Sequence, residues 1–330
     1  MDYFKQEGDT SICVLCAHYC RLKEGQKGIC GVNQNIKGEI KNLVFGHPVA
    51  LHVDPIEKKP LYHFLPGTKA LSLGTIGCNF TCPFCQNWNI SQEKTLHVKE
   101  FISPQSIIDM ALKYDCASIA YTYNEPTIFY PYVKEIALLA HTKGIKNILV
   151  TNGFGSSEMM QDCVGIIDAV NVDLKSFNPE YHKKSLGAKR DVVLENLKTF
   201  KRNGIWLEIT TLIIPTRNDS DAELHAMASF IAQELGEQIP WHLSAFHPDY
   251  HEQSLPPTSL NTLQKAKAIG EEMGLKHIYI GNLGLENPTL CAACKRVLIE
   301  RKGFGILESH LIDGACPFCK MRMEGVFYEY

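Results

Sequence analysis

The cysteine triad Cys78, Cys82 and Cys85 constrains this chain more than any other feature, because its spacing is C-x3-C-x2-C. Three thiolates satisfy three irons of a 4Fe-4S cluster, so the fourth iron stays open to a small chelating molecule that can receive an electron. The alternatives are a structural metal site and three reduced thiols of the core. A structural zinc site needs a fourth ligand, and the neighbours Asn79 and Gln86 are poor zinc ligands.

The triad follows an apolar stretch, residues 70–76, that is typical of a buried strand. Parallel α/β folds place their chemistry in the loops at the carboxyl ends of their strands. We therefore expect the three cysteines to lie at the active-site edge of a parallel sheet.

Composition and charge narrow the class of protein. The 330 residues are 45% hydrophobic and 21% charged, and 33 basic residues oppose 36 acidic ones. The net charge of -3 provides no general basic field, so we expect no nucleic-acid partner. The amino terminus lacks the apolar core of a signal peptide, and no apolar run is long enough to span a bilayer. A cytoplasmic protein without a membrane partner is expected.

Eleven of the 13 cysteines fall into three clusters. In a reducing compartment, close C-x2-C pairs favour metal binding over disulfides. The other two cysteines, Cys116 and Cys163, lie in apolar surroundings and are expected to be core thiols without a further function.

Residues 1–65 are predicted to form a cysteine-rich amino-terminal segment. Its four clustered thiols would close a tetrahedral zinc site or hold an auxiliary iron–sulfur cluster, and a site without stable metal is the third alternative. His18 is able to replace one of the thiols as a ligand. The stretch 53–64 is rich in proline and charge and is expected to be an extended connector that brings Lys58, Lys59, Tyr62 and His63 to an active-site mouth. The four cysteines are Cys13, Cys16, Cys20 and Cys30.

Residues 66–285 alternate apolar strand-like runs with helical patterns, which indicates repeated βα units on a parallel sheet. The clearest helices are expected at 104–112 and at about 219–234. Seven strands fall short of a closed barrel, so the expected fold class is α/β, a partial (β/α)6-type open TIM barrel with small cysteine-rich metal-binding appendages at both ends. The strands are expected near 70–76, 117–122, 146–151, 167–173, 205–213, 240–246 and 276–281.

Residues 286–330 are predicted to form a zinc-ribbon-like carboxyl-terminal segment. Two C-x2-C pairs are separated by 21 residues that contain a strand-like run and a turn. That pattern favours zinc, with an electron-transfer cluster as the main alternative. The four cysteines are Cys291, Cys294, Cys316 and Cys319.

Polar side chains mark the ends of the predicted strands, which right-handed crossovers bring to one face of the sheet. Asp173 and Lys175 are two apart and share a face, so they either contact a charged ligand or pair with each other. Glu125 is a candidate ligand contact or a helix cap, Asn152 lies in an Asn-Gly turn, and His242 is a candidate catalytic residue or a satisfied core histidine. Glu208 and Arg217 are further candidates for contacts to an anion or a substrate.

The triad, with an aromatic residue before its last cysteine, resembles the motif of the radical S-adenosylmethionine (SAM) superfamily. In that superfamily the amino and carboxylate groups of methionine occupy the open iron. Glu125 and the following proline look like the Gly-Gly-Glu-Pro element that binds the SAM amino group. The Thr-Asn-Gly turn at Asn152 and the Asp-Leu-Lys strand end at Asp173 resemble the activases of glycyl-radical enzymes. Val150 stands where such activases have an aspartate, so their ribose contact does not carry over.

The order of all cysteine motifs, together with the Asp-Pro-Ile-Glu-Lys-Lys-Pro-Leu segment, resembles the AmmeMemoRadiSam system radical SAM enzymes, which are similar to pyruvate formate-lyase activating enzymes. The resemblance covers almost the entire chain. It implies a radical SAM oxidoreductase with a 4Fe-4S cluster and SAM as cofactors, and it implies Cys78, Cys82 and Cys85 as cluster ligands. Glu125, Asn152, Asp173 and Lys175 are the candidates for holding SAM.

The implied reaction is reductive cleavage of SAM to a 5'-deoxyadenosyl radical that abstracts hydrogen from a substrate, with a protein as the leading substrate class. Radical modification of RNA or of a small metabolite is the enzymatic alternative. A non-enzymatic metal-loaded scaffold or redox sensor is the alternative of another class. The expected partners are a flavodoxin or ferredoxin type reductant and Memo-like and AMMECR-type proteins.

Overall fold

The structure is a computed structural model, and it describes residues 3–97 and 100–327. An open sheet of 8 strands forms its centre, in the order β13-β12-β11-β10-β9-β8-β7-β6. Strands β7 to β13 are parallel, and β6 at the edge is antiparallel to β7. The strands of this sheet are β6 Ala50–Pro55, β7 Lys69–Gly74, β8 Ser118–Tyr121, β9 Lys146–Thr151, β10 Ala169–Asp173, β11 Trp206–Ile213, β12 Trp241–Ala245 and β13 Ile278–Gly281.

All seven predicted strands are present, and the α/β fold class with an open barrel is confirmed. Strand β6 corrects one expectation, because the first residues of the predicted connector 53–64 pair with β7 instead of linking two domains. A 3-10 turn over Ile56–Lys58 then follows. Strand β6 therefore ties part of the predicted amino-terminal segment to the central sheet. The division of the chain at residues 65 and 285 stays a prediction.

Helices cover the outer face of the sheet. Their starts follow local rules, since Ser103 and Ser220 cap α2 and α7 by accepting hydrogen bonds from backbone N–H groups of the first turn. This confirms both predicted helices, with α7 giving way to a π turn over Ile231–Leu235. The helices are α1 Trp88–Ser91, α2 Pro104–Lys113, α3 Tyr130–His141, α4 Ser157–Asp162, α5 Pro179–Tyr181, α6 Arg190–Arg202, α7 Asp221–Phe230 and α8 Leu260–Glu272.

The main core lies between the sheet and these helices. Ile107 and Ala111 of α2 are fully buried there, and so is Trp241 of β12, whose indole Nε1 donates to Thr211 Oγ1 at 2.9 Å. Burying one large aliphatic side chain stabilises a fold by about 1.5–3 kcal/mol, so this continuous layer fixes the sheet. Across residues 3–97 and 100–327, every helix is too short or too polar to span a bilayer.

Smaller sheets carry the two ends of the chain. A sheet of three strands and a hairpin form the amino-terminal part, and another sheet of three strands forms the carboxyl-terminal part. Their strands are β1 Phe4–Glu7, β2 Thr10–Cys13, β3 Arg21–Leu22, β4 Asn33–Ile36, β5 Glu39–Asn42, β14 Thr289–Leu290, β15 Val297–Lys302 and β16 Gly305–Ser309.

Candidate active site

A cavity of about 420 Å³ opens at the carboxyl ends of the parallel strands. The loop after β7 supplies its thiol wall, and the ends of β8, β9 and β10 supply its polar wall. The predicted site residues that line it are Cys78, Cys82, Cys85, Glu125, Asn152, Asp173 and Lys175. Parallel pairing explains the convergence, because it brings residues far apart in sequence to the same edge.

The three cysteines lie on the loop that follows β7. Cys82 is buried, and Cys78 and Cys85 are half-buried. Burial raises the thiol pKa of Cys78, and it raises the pKa of Cys82 to about 12. Thiols of this kind give up their protons to a bound metal, because metal ligation favours the thiolate. Among the described residues that line the cavity, three are cysteines, so the donor set fits a cluster with one iron open.

Asn124 fixes the backbone of this loop. Its side-chain oxygen accepts from the Thr75 N–H at 3.0 Å, and its amide donates to the carbonyls of Ile76 and Gly77 at 3.3 and 2.9 Å. A single buried side chain thereby holds the three residues before Cys78. Sequence analysis did not identify Asn124 as a site residue, although it stands directly before Glu125.

Glu125 is fully buried and its carboxylate is held by two strand ends. The hydroxyl of Thr151 donates to Oε1 at 2.7 Å, and the Asn152 N–H donates to Oε2 at 2.7 Å. Thr127 adds its backbone N–H at 3.1 Å and a hydroxyl contact to Oε1. Burial raises the pKa of Glu125 despite these donors. Each carboxylate oxygen accepts about two hydrogen bonds, so Oε2 keeps room for one more donor.

Asp173 and Lys175 form an ion pair at the end of β10, with Nζ and Oδ2 3.0 Å apart. Burial lowers the pKa of Lys175, but the charge of Asp173 and the nearby Cys82 thiol outweigh burial and raise it overall. Lys175 in turn counteracts part of the burial effect on Cys82. Asp173 and Lys175 therefore pair with each other, as one prediction had it, and they also line the cavity beside the thiols.

Lys58 and Lys59 line the cavity, as expected, and belong to a second cluster of charged side chains. Both lysines contact Asp54, with Nζ–O distances of 2.9 and 2.7 Å. The Tyr123 hydroxyl also donates to Asp54 at 2.8 Å, and Tyr123 adopts a left-handed backbone with φ of 70°. Asp54 and Tyr123 were not identified from the sequence, because strand β6 that carries Asp54 was not predicted. The expectation that Tyr62 and His63 line the active-site mouth is wrong, because both lie outside the cavity lining and their backbone N–H groups donate to Glu208.

His242 lies outside the cavity lining, in a buried polar group. Its Nε2 donates to Glu208 Oε2 at 2.7 Å, and both side chains are almost fully buried. Glu208 also accepts from the backbone N–H groups of Tyr62 and His63 at 2.9 and 2.7 Å. Ser244, two residues further along β12, does line the cavity. A catalytic role for His242 stays a prediction. Arg217 pairs with Glu252 through two contacts of 3.0 Å.

The two outer cysteine sets differ in compactness. The sulfurs of Cys291, Cys294, Cys316 and Cys319 all lie within 4.8 Å of one another. Within residues 3–97 and 100–327, no three sulfurs of the amino-terminal set come that close, and the same holds for the cavity triad. Cys116 and Cys163 are buried, as expected of core thiols.

Residues 73–228 match the family model of the Radical SAM superfamily. Uncharacterized protein MJ0808 of Methanocaldococcus jannaschii is 38% identical to this chain over 330 residues, which covers 98% of each protein. Pyruvate formate-lyase 1-activating enzyme of Escherichia coli K12 is 22% identical over 219 residues, which covers 62% of this chain and 89% of that enzyme.

Among solved structures, Streptococcus suis SuiB bound to S-adenosylmethionine aligns with a TM-score of 0.52 at 13% identity. The alignment covers 69% of this chain and 53% of SuiB. At this identity the likeness shows the fold alone.

Proposed function

This chain belongs to the radical SAM superfamily, and from that premise we propose that it cleaves SAM reductively with a 4Fe-4S cluster held by Cys78, Cys82 and Cys85. One observation carries the proposal: three thiols and the Glu125 carboxylate line a single cavity at the carboxyl ends of the strands. Cys78, Cys82 and Cys85 would hold the cluster, and the chemistry it would supply is one-electron reduction of SAM for hydrogen abstraction from the substrate.

The protein's own residues bind and orient SAM. Glu125 would hold the ammonium group of SAM, because its Oε2 has only one donor, the Asn152 N–H, in the described structure. Asn152 fixes the loop as well, since its amide donates to Asn79 Oδ1 at 2.8 Å. Asp173 and Lys175 offer one charge of each sign to the polar groups of SAM.

The proposed substrate is a protein, attacked at a backbone glycine or at a side chain. The similarity to an enzyme named for activating pyruvate formate-lyase supports this class. An exposed aromatic surface beside the cysteine loop is compatible with it, because Trp88 is 44% exposed and stacks on Tyr250 with ring centroids 5.4 Å apart. A flavodoxin or ferredoxin type reductant and Memo-like and AMMECR-type proteins are the proposed partners.

The carboxyl-terminal set is proposed to bind zinc. Zinc–sulfur bonds of about 2.3 Å in a tetrahedron place the sulfurs about 3.8 Å apart. The Sγ atoms of Cys291 and Cys319 are 3.5 Å apart, and those of Cys294 and Cys316 are 3.7 Å apart. These distances fit a single ion bound by four thiolates.

The test is anaerobic reconstitution with iron and sulfide, reduction with dithionite in the presence of SAM, and chromatography of the products. We expect 5'-deoxyadenosine from the natural protein and none from Cys82→Ala. Cys116→Ala is the matched control, because its thiol is also buried but lies outside the cavity. An intact cluster that never cleaves SAM, even with partner proteins present, would favour the scaffold or sensor instead.

Deuterium labelling separates the substrate classes. Candidate proteins, RNA and small metabolites are each supplied in deuterated form, and the 5'-deoxyadenosine is analysed by mass spectrometry. Deuterium transferred from a protein alone is the expected result. Transfer from RNA or from a metabolite would contradict the proposed substrate class and leave SAM cleavage intact.

A further inference from the structure

The amino-terminal cysteines converge beside the cavity triad. Cys13, Cys16 and Cys30 are buried, and Cys20 is half-buried. A Cβ atom built on Gly28 would lie 3.6 Å from the Cys20 sulfur and 3.7 Å from the Cys30 sulfur. Gly28 therefore lies within van der Waals distance of two of the four thiols.

The spacing of these sulfurs differs from that of a single-ion site. The carboxyl-terminal set, which has the zinc-ribbon pattern, holds all four sulfurs within 4.8 Å of one another. In the parts of the chain that the structure describes, the amino-terminal set has no three sulfurs within that distance, and neither does the triad of the radical SAM motif. A polynuclear cluster separates its ligands more than one zinc ion does, because several irons stand between them. Like the cavity triad, the amino-terminal set therefore lacks the compact spacing of a single-ion site in the described residues.

The order of the cysteines agrees with this grouping. Cys13, at the end of β2, and Cys16 and Cys20 of the following loop are spaced C-x2-C-x3-C, and the fourth cysteine, Cys30, comes later. Zinc ribbons instead present two separate C-x2-C pairs. Three closely spaced cysteines and one distant cysteine are typical of loops that surround an iron–sulfur cluster.

The surroundings also suit a cluster. Val14, Leu15 and Val32 are each 1% exposed, and Leu15 and Val32 belong to the same buried cluster as Cys13 and Cys30. Low solvent exposure is one of the features by which proteins set cluster potentials.

Backbone contacts join this set to the loop of the cavity triad. A Cβ atom on Gly77 would lie 2.6 Å from the Cys30 carbonyl oxygen, so only glycine fits between Cys30 and Cys78. His18 Nε2 hydrogen bonds to the carbonyl oxygen of Asn79 at 2.8 Å. The carbonyl group of Cys30 in the amino-terminal set therefore lies against Gly77, the residue directly before Cys78 of the cavity triad.

We propose that Cys13, Cys16, Cys20 and Cys30 ligate a second iron–sulfur cluster, which passes electrons to the cluster of the cavity triad. One electron enters from a low-potential one-electron carrier, reduces the second cluster, and leaves it again for the first cluster, so no bond forms or breaks. The relay rests on the proposed function, whereas the identity of the metal does not.

Metal analysis of variants tests the assignment without SAM chemistry. The Cys78→Ala, Cys82→Ala, Cys85→Ala triple variant is reconstituted anaerobically and analysed for iron, sulfide and zinc, with Cys116→Ala as the control. We expect the triple variant to keep about four irons and a brown colour, as a 4Fe-4S cluster with four thiolate ligands requires. A colourless variant, or a second equivalent of zinc in place of iron, would overturn the proposal.

The natural protein gives a measurement that does not depend on the folding of a variant. It should bind about eight irons, whereas a single cluster would give about four. The paramagnetic resonance spectrum of the dithionite-reduced protein should show mutual broadening of two cluster signals, and Cys20→Ser and Cys30→Ser should each remove it. Spectra of two reduced clusters that add without broadening would contradict the relay. SAM cleavage that fails while eight irons remain would contradict only the proposed function.

Discussion

The two outer cysteine sets have the same number of thiols and different geometries. The carboxyl-terminal thiols are compact and come from two C-x2-C pairs. Among the described residues no three amino-terminal thiols come within 4.8 Å of one another, and two of them, those of Cys20 and Cys30, lie next to Gly28. Burial differs as well, because three amino-terminal thiols are buried and one is half-buried, whereas the carboxyl-terminal set includes the exposed Cys319. We attribute the difference in geometry to the spacing along the chain, because two short pairs suit a single ion and three closely spaced cysteines suit a larger group.

The two sets also contact different parts of the barrel. The carboxyl-terminal sheet joins the core through the fully buried Arg301, which donates to the Tyr62 carbonyl at 2.7 Å and, within its own sheet, to Thr289 Oγ1 at 2.5 Å. Neither acceptor residue lines the cavity. The amino-terminal set contacts the cysteine loop through His18 and Gly77. We therefore expect changes at the first junction to alter stability and changes at the second to alter the cavity cluster.

Arg301→Ala should have the largest effect on stability. The substitution leaves the Tyr62 carbonyl without this donor and leaves Glu57, 3.8 Å from the Arg301 Nε, without its buried cation. Breaking a buried ion pair costs about 3–5 kcal/mol. Urea unfolding measures this loss, and SAM cleavage by the folded fraction should be preserved.

Arg296→Ala is the matched control in the same segment. Arg296 lies over the Phe318 ring, 4.2 Å from its centroid, and Phe318 is 52% exposed. A cation–π contact at an exposed site is worth about 0.5–1 kcal/mol, so the control should lose much less. Equal losses in the two variants would show that the Arg301 junction does not attach this segment to the core.

Acidification should weaken the same junction. Burial lowers the pKa of His63 from 6.5 to about 4, and His63 contacts the Tyr279 hydroxyl at 2.7 Å and the Glu324 carbonyl at 3.1 Å. Between these pH values the unfolded chain binds a proton that the folded chain does not. The contribution of neutral His63 to the free energy of unfolding is therefore fully present above pH 6.5. It falls by about 1.4 kcal/mol per pH unit as the pH approaches 4.

Unfolding curves at several pH values measure this slope. Burial likewise lowers the pKa of His182 to about 4, and its Nε2 hydrogen bonds to the Ser176 carbonyl rather than to a junction residue. The comparison of His63→Gln with His182→Gln therefore separates the two contributions. A slope that is unchanged in His63→Gln would exclude His63 as a source of the acid sensitivity.

His18→Ala should have a small effect on stability and a specific effect on the cavity cluster. It removes the hydrogen bond to the Asn79 carbonyl, worth about 1 kcal/mol, which corresponds to roughly fivefold faster loss of the cavity cluster in the presence of a chelator. His47→Ala is the control, because His47 also hydrogen bonds to a backbone carbonyl, that of Glu100, at 2.8 Å. Identical rates of cluster loss in both variants would show that the His18 contact does not stabilise the cysteine loop.

The sequence predicted the central sheet because its parallel strands are buried on both faces and form continuous apolar runs. Strand β6 was not predicted, because it is partly exposed and lacks a continuous apolar run. It is an edge strand with exposed His52 and Val53 and a proline at its end, and its pairing with β7 depends on residues about 20 positions away. Local pattern contains no information about such a partner.

The site was predictable where chemistry depends on spacing or on strand ends. Cys78, Glu125 and Lys175 all reach the cavity, as expected from the parallel topology. His242 shows the limit of that reasoning. The alternation of side chains along a strand predicts which face of the sheet a residue lies on, but not how far along the barrel it lies. Ser244 lies at the depth of the cavity, whereas His242 lies at the depth of Glu208.

The measurement that tests the central claim most directly is Mössbauer spectroscopy of the reconstituted protein, enriched in the Mössbauer-active iron isotope, with and without SAM. If three cysteines leave one iron open, SAM should change the spectrum of one iron site in the cavity cluster, and the change should vanish in Cys82→Ala. Identical spectra with and without saturating SAM would contradict an open iron in this cavity, and with it the proposed reaction.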